Sequence, residues 1–216
     1  MARTCERRDR ESPAGDAGFT LVEILAVLAI LSLLMTMAIY GFGKQREHAR
    51  VVRTKGTMEE LEMLITRYEA SKGDAPPDSL AKLKIRADND ANEGAEALYA
   101  ALHDKSFPQG TSIDEEKLVN SDGDSTASAY HRNGITLLFE VADGWGNPIA
   151  YLRPTSYGKQ FRYVMAECDD PADSEQVVSS HKSAVTGVWA NPDTFQLVSA
   201  GADRRFGTED DVTNFK

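Results

Sequence analysis

The pattern of apolar positions begins with one long uninterrupted segment near the N-terminus. Residues 19–42 read FTLVEILAVLAILSLLMTMAIYGF and contain a single charged residue, Glu23. About 20 consecutive apolar residues, each adding 1.5 Å of helix, are enough to cross the hydrocarbon core of a bilayer. The segment therefore predicts a membrane-spanning helix close to the N-terminus.

The charges on either side of this segment do not determine its orientation, because basic residues flank it on both sides. Basic residues favour the cytoplasmic side of a membrane span. The flanking basic residues are Arg3, Arg7, Arg8 and Arg10 before the segment, and Lys44, Arg46, Arg50, Arg53 and Lys55 after it. A cleaved signal peptide would end in a small-x-small site, and none follows here.

An amphipathic stretch continues the helical pattern over residues 43–72. Its apolar residues recur at steps of three and four, as on one face of a helix packed against a domain. These residues are Met58, Leu61, Leu64, Ile65 and Tyr68. Gly73 and the Pro76-Pro77 pair are expected to end the helix near Lys72. The alternative is two separate helices with a break at Gly41–Gly43.

The second half of the chain mixes polar loops with short apolar segments. Residues 73–134 form a polar, variable insertion with short helices, one of them predicted over residues 94–103. Within it, Asp122 and Asp124 belong to an Asp-Gly-Asp sequence, which is more typical of a turn than of a cation site.

Alternating segments then predict a small sheet in the C-terminal region, residues 135–216. Residues 135–141 (ITLLFEV) fit a strand or a short buried segment, and the predicted strands are 149–153 (IAYLR), 161–166 (FRYVMA) and 195–199 (FQLVS). Three antiparallel strands against one face of the helix would form a two-layer core. The predicted fold class is α+β, with a long N-terminal helix packed on a small C-terminal domain containing a three-stranded antiparallel sheet.

The charge of the chain narrows the classes of partner. With 24 basic and 34 acidic residues, the formal net charge is −10. Nucleic acid is not expected as a partner, because binding a phosphate backbone requires clustered Lys and Arg. The acidity is compatible with divalent cations and with a soluble domain outside the cytoplasm, and solubility alone explains it equally well.

The common catalytic motifs are missing from the sequence. It contains no Gly-rich phosphate loop, no His-Glu-x-x-His, no Cys-x-x-Cys and no Gly-x-Ser-x-Gly. Its histidines are scattered through polar contexts. On their own, these missing motifs are only weak evidence against an enzyme.

The N-terminal residues carry a family resemblance. Gly18 followed by FTLVEILAVLAIL resembles the prepilin cleavage and methylation motif of the type IV pilin-like superfamily. The resemblance implies that residues 1–18 are a leader, cut by prepilin peptidase between Gly18 and Phe19, and that Phe19 is then N-methylated. It also implies that Glu23, fifth in the mature chain, pairs with the N-terminal amine of a neighbouring subunit. Without the motif, Glu23 would simply be tolerated near the membrane interface.

Two further segments are similar to the major pseudopilin of type II secretion systems, the G-type pseudopilin. Residues 143–152 (DGWGNPIAYL) resemble its signature, and the C-terminal tail resembles its calcium loop, with Phe215 in place of the usual Trp. The resemblance implies calcium ligands in the side chains of Asp203, Asp210 and Asp211. Further oxygens are expected from Leu197, Val198 and Ser199. The alternative is a solvated acidic tail.

The resemblance implies a structural role and, together with the missing catalytic motifs, a chain that is not an enzyme. The chain would be a single-pass inner-membrane protein with its C-terminal domain in the periplasm, polymerising with itself and with minor pseudopilins on an inner-membrane assembly platform. The filament would drive protein export across the outer membrane. One alternative is a subunit of a type IV pilus or another pilin-like filament. The other is a periplasmic hydrolase or binding domain held by an N-terminal signal anchor.

Overall fold

The structure is a computed structural model, and it describes residues 19–103, 113–130, 135–166, 168, 174–183 and 185–215. The predicted leader, including Gly18, lies outside the described residues, as do parts of the polar insertion. The chain divides into two compact units, Met1–Lys44 and Gln45–Lys216, which are described separately.

The first unit contains the start of helix α1, which extends over Leu21–Lys72. Its apolar side chains are exposed from Phe19 to Met35. Across the described residues, no helix reaches both the length and the mean hydropathy needed to span a bilayer.

The second unit begins with the amphipathic part of α1, as the three- and four-residue spacing predicts. Met58, Leu61, Leu64 and Ile65 are each at least 95% buried. The helix ends where predicted, because Gly73 adopts a left-handed conformation with a φ of 79° and donates its N–H to the Glu69 carbonyl at 2.7 Å. A single helix is assigned over this range, so the predicted alternative of a break at Gly41–Gly43 is wrong.

Short elements follow α1. The second α-helix, α2, covers Glu93–Leu102, in agreement with the helix predicted for this region. The 3-10 helices cover Leu80–Leu83, Glu115–Lys117 and Pro154–Ser156. The strands are β1 (Leu118–Val119), β2 (Ser125–Tyr130), β3 (Ile135–Leu137), β4 (Glu140–Val141), β5 (Ala150–Leu152), β6 (Gln160–Val164), β7 (Glu175–Ser179), β8 (Gln196–Ser199) and β9 (Val212–Thr213).

A three-stranded antiparallel sheet in the order β5-β8-β9 forms the centre of the C-terminal region. Ala150 pairs with Val198, which also pairs with Thr213 on the other side. The described residues also form three two-stranded antiparallel pairs: β1 with β4, β2 with β3, and β6 with β7. The α+β fold class and the three-stranded sheet are thereby confirmed.

The membership of that sheet differs from the prediction. Residues 161–166 do contribute a strand, β6, but it pairs with β7 and not with the central sheet. The third central strand is β9, which is two residues long. A strand this short shows no alternation of apolar and polar residues, so the sequence pattern could not reveal it.

Helix α2 lies close against the central sheet, because a glycine stands at the contact. A Cβ on Gly94 would lie 2.5 Å from the Tyr151 carbonyl oxygen, closer than any real side chain allows. All residues of α2 after Glu93 are buried. This close packing places the polar side chain of Glu96 inside the protein.

Candidate functional site

Glu23, the predicted assembly residue, forms a capping box at the start of α1. Its Oε2 accepts hydrogen bonds from the Thr20 backbone N–H at 3.0 Å and from Thr20 Oγ1 at 2.9 Å. In return, the Glu23 N–H donates to Thr20 Oγ1 at 3.3 Å. A Thr-x-x-Glu sequence before an apolar run predicts this arrangement, and the sequence analysis missed it. The adjacent Phe19 side chain is 81% exposed.

The 143–152 signature forms a turn organised by one buried carboxylate. Asp143 Oδ1 accepts the N–H groups of Trp145 at 2.8 Å and Asn147 at 3.0 Å. Its Oδ2 accepts the Ser199 hydroxyl at 2.6 Å, which joins the turn to β8. Burial raises the pKa of Asp143, and these hydrogen bonds oppose that rise.

The same turn docks on α1. A Cβ on Gly144 would lie 2.4 Å from the Arg50 carbonyl oxygen, so only glycine permits this approach. Trp145 Nε1 donates to Glu47 Oε2 at 2.9 Å on the same helix. The resemblance named these residues as a signature, and the geometry gives them a structural role in holding the domain to its helix.

Asp203, Asp210 and Asp211 lie on the loop between β8 and β9. Asp210 Oδ2 accepts the N–H groups of Ala202 at 2.7 Å and Asp203 at 3.0 Å. Asp211 Oδ2 accepts the Gly207 N–H at 2.8 Å. These bonds fold the loop back on its own backbone.

The other predicted ligands, Leu197, Val198 and Ser199, lie in β8 and take part in the hydrogen bonds and strand pairing of the sheet. The Leu197 carbonyl accepts the Asn214 N–H at 3.3 Å, and the Ser199 hydroxyl donates to Asp143. Val198 pairs with a strand on each side. These three residues therefore take part in the sheet, and their role as calcium ligands stays a prediction.

Among the described residues, the loop carboxylates do not form a close group able to hold a metal ion, but one of their oxygens has an environment that a hard cation would suit. Calcium binds six to eight oxygens, mostly from carboxylates and carbonyls. Asp211 Oδ1 is buried, and the described part of the chain offers it no hydrogen-bond partner. A buried carboxylate oxygen without a partner is costly, so an oxygen-seeking ion fits there. Asp203, Asp210 and Asp211 are the residues that would hold it.

A second group of carboxylates lies inside the domain, and the sequence analysis did not assemble it. One oxygen each from Glu96, Asp122 and Glu140 lies within 4.8 Å of the others, a grouping that could hold a metal ion. Glu96 comes from the first turn of α2, Asp122 from the loop before β2, and Glu140 from β4. Because the three residues are far apart in the sequence, their proximity becomes visible only in the folded structure.

The environment of this carboxylate group disfavours charge. Burial raises the pKa of Glu140 to about 8, although a hydrogen bond from Asn92 lowers it. Burial, followed by the charge of Asp124, also raises the pKa of Glu96. Removing a carboxylate from water stabilises its neutral form, and neighbouring negative charges add to that effect.

Comparison with known proteins gave one match. Residues 14–39 match the family model described as the prokaryotic N-terminal methylation motif. The search of curated proteins and the search of solved structures each gave no match. The matched region includes Gly18, Phe19 and Glu23. The motif suggests a membrane-anchored chain, and it indicates a type IV pilin-like protein that is processed as a prepilin.

Proposed function

We propose that this protein is a structural subunit of a type II secretion pseudopilus and has no catalytic activity of its own. The N-terminal methylation motif over residues 14–39, with Glu23 five positions after Gly18, carries the proposal. The mature chain would be held in the inner membrane by its apolar segment, with the C-terminal domain in the periplasm. Its assembly into a filament would drive protein export across the outer membrane.

Glu23 is the residue on which assembly depends. A carboxylate within an apolar helix is costly unless a positive partner is near. Cleavage after Gly18 would create that partner, since it gives each subunit a new amine at Phe19. The Glu23 carboxylate of one copy would pair with the amine of the adjacent copy and set the axial position of the incoming subunit.

The choice of a pseudopilus over another pilin-like filament rests on the C-terminal domain. The 143–152 turn docks on α1 through Gly144 and Trp145. The loop after β8 holds Asp203, Asp210 and Asp211, which we propose as calcium ligands, with any further oxygens drawn from the neighbouring backbone. Bound calcium would neutralise the loop carboxylates and stabilise the domain by binding only its folded form.

The proposed partners follow from this assembly route. They are further copies of the chain, minor pseudopilins, the inner-membrane assembly platform and prepilin peptidase. A subunit of a type IV pilus would share the motif and the role of Glu23, and it would differ in the filament that it builds.

The test compares two substitutions of one residue in the full chain, produced in cells that contain prepilin peptidase and the secretion machinery. Glu23→Gln keeps an acceptor for the Thr20 N–H but removes the charge, whereas Glu23→Ala removes both. We expect both variants to be cleaved and methylated at Phe19, as seen by mass spectrometry of the N-terminus. Filament assembly, measured by crosslinking of adjacent subunits, should fail in both.

The outcomes separate the possibilities. Normal filaments from Glu23→Gln would show that capping, and not charge, is what Glu23 supplies, and would overturn the assembly role. An intact Met1 in the mature wild-type chain would favour the anchored periplasmic domain. Long surface fibres without any secretion defect on deletion would favour a type IV pilus.

A further inference from the structure

The buried carboxylate group at the first turn of α2 is surrounded by further acidic groups. Glu96, Asp124 and Glu140 are each at least 96% buried. The charged groups that act most strongly on Glu96 are Asp124, Asp122 and Glu140, all of them acidic. Asp88 adds to the negative charge around Asp124. The cluster therefore needs either bound protons or a cation.

Two of these side chains point into the cluster without a partner. Within the described ranges, both carboxylate oxygens of Glu96 and both of Asp124 are buried and have no hydrogen-bond partner. The two carboxyl groups face each other, and a hydrogen bond can join them only if one of them keeps a proton. Buried polar atoms are nearly always paired in folded proteins, so these four oxygens require either a proton shared between Glu96 and Asp124 or a bound cation.

The other two carboxylates, Glu140 and Asp122, are held in position by hydrogen bonds from neutral groups. Glu140 Oε1 accepts a hydrogen bond from Asn92 Nδ2 at 3.0 Å, and its Oε2 accepts the Ser121 N–H at 3.2 Å. Asp122 Oδ2 accepts Asn89 Nδ2 at 2.9 Å. Such bonds orient carboxylates without neutralising them, as the outer partners of metal ligands do.

The ligand chemistry selects the class of ion. All the available atoms are carboxylate oxygens, which suit hard divalent cations and not the softer metals that prefer nitrogen or sulfur. Calcium accepts six to eight ligands in irregular geometry, whereas magnesium demands a near-ideal octahedron and keeps several waters. A buried group of carboxylates drawn from a helix, a loop and a strand fits calcium better.

We propose that Glu96, Asp122, Asp124 and Glu140 form a buried calcium site, separate from the loop after β8. The ion joins α2 to β4 and to the loop that precedes β2. It thereby gives the polar insertion, residues 73–134, a role in stabilising the domain. The site goes beyond the proposed filament role and does not depend on it.

The experiment measures calcium binding at the buried carboxylates after the proposed site in the loop after β8 has been removed by mutation. The full chain, purified in detergent and stripped with chelator, carries Asp203→Asn and Asp210→Asn so that the loop after β8 cannot bind. Calcium is then added, and bound ions per chain are counted by equilibrium dialysis. We expect one ion per chain, and we expect the midpoint of thermal unfolding to rise by about 5 °C at saturating calcium.

Glu96→Gln in the same background should abolish both effects. The substitution keeps the size of the side chain but removes the carboxylate that calcium would bind, and among the described residues only a proton shared with Asp124 could link the Glu96 oxygens to a partner. Glu140→Gln should lose the ion as well, although it alters the bonds from Asn92 and Ser121.

Glu116→Gln is the matched control, since this residue is exposed in the same part of the chain. It should leave both the ion count and the calcium-dependent midpoint unchanged. No bound ion in the parent, or an equal ion count in the parent and in Glu96→Gln, would overturn the site. Either result would leave the filament proposal untouched, because its test measures subunit crosslinking.

Discussion

Gly144 and Thr54 are joined by a hydrogen bond between the signature turn and helix α1. The Gly144 N–H donates to Thr54 Oγ1 at 2.9 Å, and Thr54 is fully buried. The Thr54 hydroxyl itself donates to the Arg50 carbonyl one turn earlier at 2.9 Å. The Thr54 hydroxyl thus accepts a hydrogen bond from the signature turn and donates one to the helix backbone, at the contact between residues 143–152 and α1.

The first prediction concerns the glycine. Gly144→Ala should destabilise the protein by about 1–3 kcal/mol, since its methyl group would press on the Arg50 backbone and overpack the contact. Urea unfolding of the full chain in detergent measures the change. Gly56→Ala, on α1 with open space around it, serves as the control and should stabilise the protein by up to about 1 kcal/mol. Equal effects of both substitutions would contradict the close approach at Gly144.

The second prediction concerns the hydroxyl. Thr54→Val keeps the shape of the side chain but leaves the Gly144 N–H without its acceptor. A loss of about 1–2 kcal/mol in the free energy of unfolding is expected, because the partly buried Gly144 N–H would be left without a partner against the helix. Thr66→Val is the matched control, as Thr66 also donates to a carbonyl one helical turn earlier but is exposed. If Thr54→Val and Thr66→Val change the free energy of unfolding by the same amount, the hydrogen bond from Gly144 to Thr54 does not contribute to stability.

A third prediction tests the loop after β8. Gly201 has a φ of 65°, and a Cβ there would lie 2.4 Å from the Asp210 carbonyl oxygen. Gly201→Ala should therefore cost about 1–3 kcal/mol through strain and should weaken any calcium response of this loop. Gly207→Ala shares the positive φ, with open space around its Cβ, so it should cost less. A larger loss for Gly207→Ala would refute the packing of the loop against Asp210.

A fourth prediction concerns pH. The hydrogen bond from Arg153 holds the pKa of Asp74 below its usual value. An acid whose pKa is lowered by folding stabilises the native state above its unfolded pKa, and this stabilisation is lost as the pH falls through the folded pKa. Asp74→Asn should therefore destabilise the protein at pH 7 by only about 0.5–1 kcal/mol, since Asp74 is mostly exposed.

The difference between Asp74→Asn and wild type should narrow as the pH falls below about 4, where the free side chain of Asp protonates. Unfolding curves at a series of pH values provide the measurement. Asp193→Asn, at an exposed acid elsewhere, controls for the general loss of a negative charge. A difference that stays constant down to low pH would exclude the ion pair as its cause.

Much of the fold was predictable because its signals are local. The end of α1 follows from Gly73 and the prolines after it, and its buried face follows from the spacing of Leu61 and Ile65. The β5 strand follows from a short apolar run after a turn. Each of these signals lies within a few residues of the element it specifies.

The rest was not predictable because it depends on pairing across long stretches of sequence. Nothing near residues 161–166 indicates that their partner is β7 instead of the central sheet. Glu96, Asp122 and Glu140 each look like ordinary surface acids in the sequence. They become a buried cluster only because α2 packs against the sheet through Gly94. For the same reason, the sequence around Asp122 and Asp124 predicts only a turn.

The hydrogen bonds between Thr20 and Glu23 stabilise the first turn of α1, and this matters for cleavage of the chain after Gly18. A helix that is capped by its own third residue does not need the preceding chain to hold its first turn. Removal of a leader ending at Gly18 would therefore expose an amine beside a helix start that is already secured. After cleavage, the first turn of α1 would not need to refold. The Glu23 carboxylate would already lie about one helical turn from the new N-terminal amine at Phe19.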